Sequence, residues 1–224
     1  MATTKIVDLV SRAGILLQDT TATRWTKQEL LGWFNDAQRE LVMARPDLKA
    51  TTASFACVAG TKQTLPSAAL RLLTVVRNGT TGRAVTQVSR DLLDNHQPGW
   101  HGMTQDTEVE HFVYDPLVPK TFWVYPPAVN TLSLEIIYGA NPTVVTSAQV
   151  DLSDITSTTI EVDDIYANAL LDYMLYRAYS KDLNIAGSGQ RAGMHLQLFQ
   201  QAVGTKTQID AAATPMPRPE RGGA

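Results

Sequence analysis

Residues 111–143 read HFVYDPLVPKTFWVYPPAVNTLSLEIIYGANPT. β-Branched and aromatic residues fill the short runs, and Pro, Gly and Asn punctuate them, the composition of strands joined by tight turns. Strands are expected near 110–114, 121–125 and 132–138. Pro126 and Pro127 have no N–H to give a ladder, so they should mark a strand end. The stretch holds no catalytic cluster.

Helical periodicity lies on both sides of this region. Ile6, Leu9, Val10, Ala13, Leu16 and Leu17 recur at three- and four-residue steps, which predicts a helix over about 4–18. Thr26 and Glu29 form a capping-box pattern, with Trp25 and Leu30 placed for a hydrophobic staple. Leu30, Phe34, Ala37, Leu41 and Ala44 then line one face, and Pro46 stops the helix. From Thr51 the period becomes two through Ala53, Phe55 and Cys57. Residues 70–77, LRLLTVVR, read as a strand covered on both faces. Asn78-Gly79 opens a tight connection, 83–88 should be the return strand, and 89–94 a short capped helix.

On the C-terminal side, residues 140–162 are irregular, with a short strand expected at 159–162. Asp163 should cap a long helix over about 164–182. Its apolar residues cover nearly the whole circumference, so the helix must be covered all round, and a neighbouring protomer is the expected second cover. Gly187-Ser188-Gly189 turns the chain into a last helix, about 190–208, striped by Ala192, Leu196, Phe199 and Val203. Beyond it, AAATPMPRPERGGA has the composition of an extended tail. The expected class is α+β. Residues 1–47 and 163–208 form an antiparallel helical bundle, 48–162 an inserted antiparallel β domain, and 209–224 the tail.

Length and charge narrow the function. The chain has 224 residues, 44% of them hydrophobic, enough to bury roughly 70% of the unfolded surface. Nineteen basic against 22 acidic residues give a net charge of −3, without the basic excess of a duplex-gripping surface. The lone Cys57 rules out an internal disulfide and reads as a small buried hydrophobe. No signal peptide or bilayer-spanning run is present, so the expectation is a soluble chain made in the cytoplasm without membrane contact.

The reactive residues form no recognisable constellation. His96 and His101 share a loop with Asp94, but the spacing matches no closed zinc site. Asp151, Asp154, Glu161, Asp163 and Asp164 lack the spaced glycine loop of an EF-hand and read as acids serving a helix N-terminus. GxSxG is absent, and Gly187-Ser188-Gly189-Gln190-Arg191 lacks the lysine of a phosphate loop. No enzyme activity, metal or cofactor is expected. Trp100, on a Pro/Gly loop, either anchors an interface or folds back on the sheet. Pro215, Met216, Pro217, Arg218 and Pro219 form a polyproline-like segment able to dock on a partner at low ordering cost.

Taken in order, WTKQELLGWFNDAQRELVMARPDL, LPSAALRLLTVVRN, FVYDP, TFWVYPP, LSLEIIYGANP and YANALLDYMLYRAYSKD resemble the head-to-tail adaptor (neck or connector) proteins of tailed bacteriophages, including the tail tubular protein A group. The resemblance spans about 3–208. It implies a structural virion protein at the head–tail junction: a homo-oligomeric ring, usually of twelve subunits, between the portal and the tail nozzle or next tail ring. Double-stranded DNA would pass through its channel without specific contact. It also implies a terminal segment on the portal, here Ile209 with Pro215, Met216, Pro217, Arg218 and Pro219. The candidate subunit contacts are Trp100, Tyr166, Leu170, Tyr173, Tyr176 and Tyr179. The rival readings are another minor tail or tail-completion protein and a small virion-associated hydrolase using paired carboxylates.

Overall fold

A computed structural model of the chain describes residues 2–182 and 184–213, with backbone alone for 205–213. It is an α+β protein. In chain order the elements are α1 (Ile6–Leu16), α2 (Lys27–Ala44), β1 (Ala50–Ala56), β2 (Gly60–Thr64), β3 (Ala69–Asn78), β4 (Thr86–Gln87), α3 (Arg90–His96), β5 (His111–Tyr114), β6 (Thr121–Ala128), β7 (Ser133–Ala140), α4 (Ala167–Lys181) and α5 (Ser188–Ala213). Two compact units result. One joins Met1–Arg45 to Val144–Ala224, and the other is Pro46–Thr143.

In the helical unit the start of α2 is set locally. The Thr26 side chain accepts the Glu29 N–H, and the Glu29 carboxylate accepts the Thr26 N–H, so the capping box is complete. Trp25 and Leu30 flanking it are both buried. Before the cap, the Asp19 carboxylate accepts the N–H groups of Thr23, Arg24 and Trp25 at 2.8–3.0 Å. α4 packs against α1, α2 and α5.

Residues 144–162, expected with the β region, belong instead to the helical unit. Backbone and side-chain bonds explain why. The Asn35 amide donates to Val145 O and accepts from Val145 N. Ile6 N donates to Thr158 O, and Ile160 N to Thr4 O. Leu152, Ile155, Ile160 and Val162 are buried. The strand expected at 159–162 reduces to one bridge between Lys5 and Thr159.

The second unit holds two sheets, ordered β1-β7-β3 and β2-β6-β5-β4. Their facing side chains form one core, with Leu72, Val75, Phe112, Phe122, Val124, Leu134 and Ile136 among its members. β2 was not apparent in the sequence. Its GTKQT has no apolar alternation, and pairing with β6 imposes the strand. β6 runs on through Pro126 and Pro127 to Ala128, past the end expected at Tyr125, across a register shift in β2.

β3 departs from the two-faced reading. Ala69, Leu72, Val75 and Asn78 are buried, whereas Leu73 is 38% exposed. Three register shifts against β7 each insert a residue, so every third side chain faces the core. Of the expected return strand 83–88 only β4 is a strand, and it pairs parallel with β5.

β7, paired on both sides, passes close to Pro46. A Cβ on Gly139 would lie 2.8 Å from the Pro46 carbonyl oxygen. Gly139→Ala is therefore expected to destabilise the chain by about 1–3 kcal/mol, because backbone must move. A thermal melt with an unchanged midpoint would contradict this.

Candidate functional site

Apart from Trp100, the expected subunit contacts lie on α4 or in the turn ahead of it. Tyr166, in the single turn Asp164–Tyr166 ahead of α4, is 3% exposed; Leu170 is 0% and Tyr173 6%. Most of the cover expected from a second protomer comes from α1, α2 and α5 of the same chain. Tyr166, Leu170 and Tyr173 thus offer no free surface. Tyr176 and Tyr179 are half-buried and do reach the surface.

An aromatic and ionic belt ties α4 to its neighbours. Tyr173 meets Phe199 edge-on at 5.2 Å and Tyr176 at 5.5 Å. Tyr179 stacks on His195 at 5.7 Å, with the Arg191 guanidinium over its ring. His195 Nδ1 lies 2.9 Å from Asp172. The Trp25 indole N–H donates to Ala178 O at 3.1 Å. Lys181 pairs with Glu29 at 2.6 Å, holding that carboxyl below its usual range.

At one end of this belt a cleft of about 220 Å³ is lined by Leu16, Leu17, Trp25, Tyr179, Ile185 and Arg191, among others. Leu16 is 52% exposed and Ile185 43%, with Ile15 at 61% beside them on α1. Apolar side chains beside a half-buried tyrosine and an arginine are the composition of an interface anchor point.

The expected acid roles change in detail. Asp163, at the N-cap position, makes no side-chain cap bond. Asp164 instead accepts the N–H groups of Thr3 and Thr4 and the Thr3 hydroxyl at 2.7–3.0 Å, clamping the N-terminal segment. Asp151 serves Ser153, and Asp154 serves Ser147 and Ala148. Among the described residues no group of three or more His, Cys, Asp or Glu could hold a metal.

Hydrogen bonding from Thr4 and then Thr3 holds the Asp164 carboxyl far below its ordinary value, Thr4 contributing most. A carboxylate whose folded pKa is depressed adds stability above its unfolded pKa and loses it as pH falls toward the folded one. Asp164→Asn is thus expected to lower the urea midpoint at neutral pH, with the gap narrowing below about pH 4. A gap independent of pH would contradict the clamp.

In the second unit Trp100 is corrected. It is 1% exposed, packs with Leu93 and Val113, and donates its indole N–H to Asp94 at 2.9 Å. It is therefore a core residue and offers no surface anchor. His101 stacks on it and bonds Thr61, while Asp94 and His96 lie in α3 and not in the loop expected to hold all three. His111 bonds Thr86 at 2.6 Å. Cys57 is 3% exposed, and burial pushes its thiol up to about 12, which makes it a poor nucleophile.

Ile209 lies on the backbone of α5, which runs on to Ala213, beyond the expected end of the helix. Its side chain, with Pro215, Met216, Pro217, Arg218 and Pro219, lies outside the described residues. Sequence reading missed the cleft, although it singled out Tyr179 and placed Leu16 and Leu17 at the end of the α1 stripe.

A family model described as SU10 adaptor protein matches residues 4–219. The chain belongs to that family. The match spans both units and nearly the whole chain, and it agrees with the resemblance to phage adaptors. An adaptor family places the protein among structural components of the virion that contact other head and tail proteins. No curated protein matches the chain. No described helix is long and apolar enough to cross a membrane.

Proposed function

We propose that this SU10-family adaptor closes into a ring at the head–tail junction, between the portal and the tail nozzle or next tail ring, in the manner of the tail tubular protein A group. Twelve copies is the number that resemblance implies. The four long helices act as an antiparallel bundle and the β unit as an insert. The observation that carries this reading is the family match over residues 4–219.

The surface chemistry of the chain supports it. Head-to-tail ring contacts need two unlike patches on each subunit. The cleft beside Tyr179, with exposed Leu16 and Ile185, serves as one patch, and Tyr176 adds to its rim. Tyr166, Leu170 and Tyr173 act from inside, stiffening the helix that presents those two tyrosines. A net charge of −3 suits a wall along which DNA slides, since strong phosphate attraction would hold it. The arm is the segment with Ile209, Pro215, Met216, Pro217, Arg218 and Pro219, and it docks on the portal or on a neighbouring subunit.

Co-sedimentation of the full chain with purified portal tests the proposal. Stable binding that is lost on deleting residues 209–224 is expected. Equal binding by both forms removes the arm from the account, and no binding by the full chain removes the portal.

A further inference from the structure

The two sheets of the β unit end in four edges, and three of them are guarded. β2 carries Lys62 and a register shift. β3 carries Arg71, Arg77 and three register shifts. β4 is two residues long. Charge, bulges and brevity are the usual means by which sheets avoid pairing with another chain. β1 has none of them: ATTASFA has no charge and no proline, and its register against β7 is unbroken from Ala50 to Ala56.

The direction of its backbone groups follows from one bond. Cys57 N donates to Leu132 O at 2.9 Å, continuing the β1–β7 register. Antiparallel ladders alternate, so Thr51, Ala53 and Phe55 bond β7, while the N–H and C=O groups of Ala50, Thr52, Ser54 and Ala56 point outward. These four are exposed. Among the described residues no other backbone or side-chain bond reaches them. They form a row of unpaired donors and acceptors.

We infer that β1 pairs antiparallel with β1 of a second copy of this chain, about a two-fold axis at Ala53. This register sets Thr52 opposite Ser54 of the partner copy and Ala50 opposite Ala56. Every outward-facing residue then meets an outward-facing one, and each pair can exchange two N–H···O bonds. No like charges meet. On the core-side face, half-buried Phe55 lies beside Thr51 of the partner copy, extending the cover over the Phe55–Phe122 contact. The product is a six-stranded sheet with both clean edges consumed. Such an isologous contact closes at two copies, so it is a contact of the unassembled protein and separate from the ring interface.

Size-exclusion chromatography with light scattering, run over a concentration series of the full chain, tests this. Wild type is expected to pass from monomer to dimer. Thr52→Lys/Ser54→Lys sets lysines opposite each other and should raise the dimer Kd at least ten-fold. Thr52→Glu/Ser54→Lys pairs opposite charges in the same register, sets the new lysine and not a second carboxylate against Glu135 of β7, and should restore the dimer. Circular dichroism confirms that each variant is folded. A monomer at every concentration, a dimer indifferent to the paired lysines, or no rescue by the glutamate–lysine variant overturns the proposal. The ring reading survives any of these results, since it rests on portal binding.

Discussion

Trp100→Ala is expected to cost about 3–5 kcal/mol, the usual penalty for emptying a buried tryptophan site. The indole is 1% exposed, sits on Leu93 and Val113, and gives its N–H to Asp94. The substitution removes apolar contact and leaves Asp94 short of the donor that contributes most to holding its carboxyl low. Urea unfolding of the full chain reads the effect. A tryptophan acting as an exposed partner anchor would lose little or no stability on truncation, so a change below about 1 kcal/mol would return Trp100 to the surface.

Asn78→Ala is the second large effect, expected at about 3 kcal/mol. Asn78 is fully buried at the end of β3. Its amide donates to Val109 O at 2.7 Å and Arg83 O at 3.1 Å, and its Oδ1 accepts Val109 N at 2.9 Å. Alanine leaves both backbone groups of Val109 without these partners inside a core, where an unmet donor or acceptor costs about 1–3 kcal/mol. Asn78→Asp should fare no better, since a carboxylate has no N–H for the Val109 carbonyl. Thermal or urea unfolding with either variant near wild type would show that the β unit does not depend on this hub.

These two residues also show where the sequence stopped being readable. Asn78-Gly79 looks like an ordinary turn dipeptide, and nothing local announces that the asparagine reaches Val109, thirty-one residues on. Trp100 stands on a Pro/Gly loop whose composition says surface; its pocket is made by Leu93 and Val113 from other parts of the chain. Local chemistry was legible. The Thr26–Glu29 capping box, the α1 stripe and the strands around Val113, Val124 and Ile136 all follow from residues a few positions apart.

What depends on tertiary pairing was not legible. GTKQT becomes a strand because β6 lies beside it. Leu72 and Val75 share a face through bulges that a period-two reading cannot contain. For α4 the periodicity did demand all-round cover, but it could not say whose. Three helices of the same chain supply most of it, so the candidate contact surface moves from the buried Tyr166, Leu170 and Tyr173 to the rim at Tyr176, Tyr179, Leu16 and Ile185.

Cryo-electron microscopy of the full chain mixed with purified portal tests the adaptor account most directly. A closed ring of copies on one end of the portal, with an open axial passage and the Tyr179 cleft at the subunit boundary, is the predicted result. Portal particles without this protein, or with isolated copies that share no contact with one another, would contradict it.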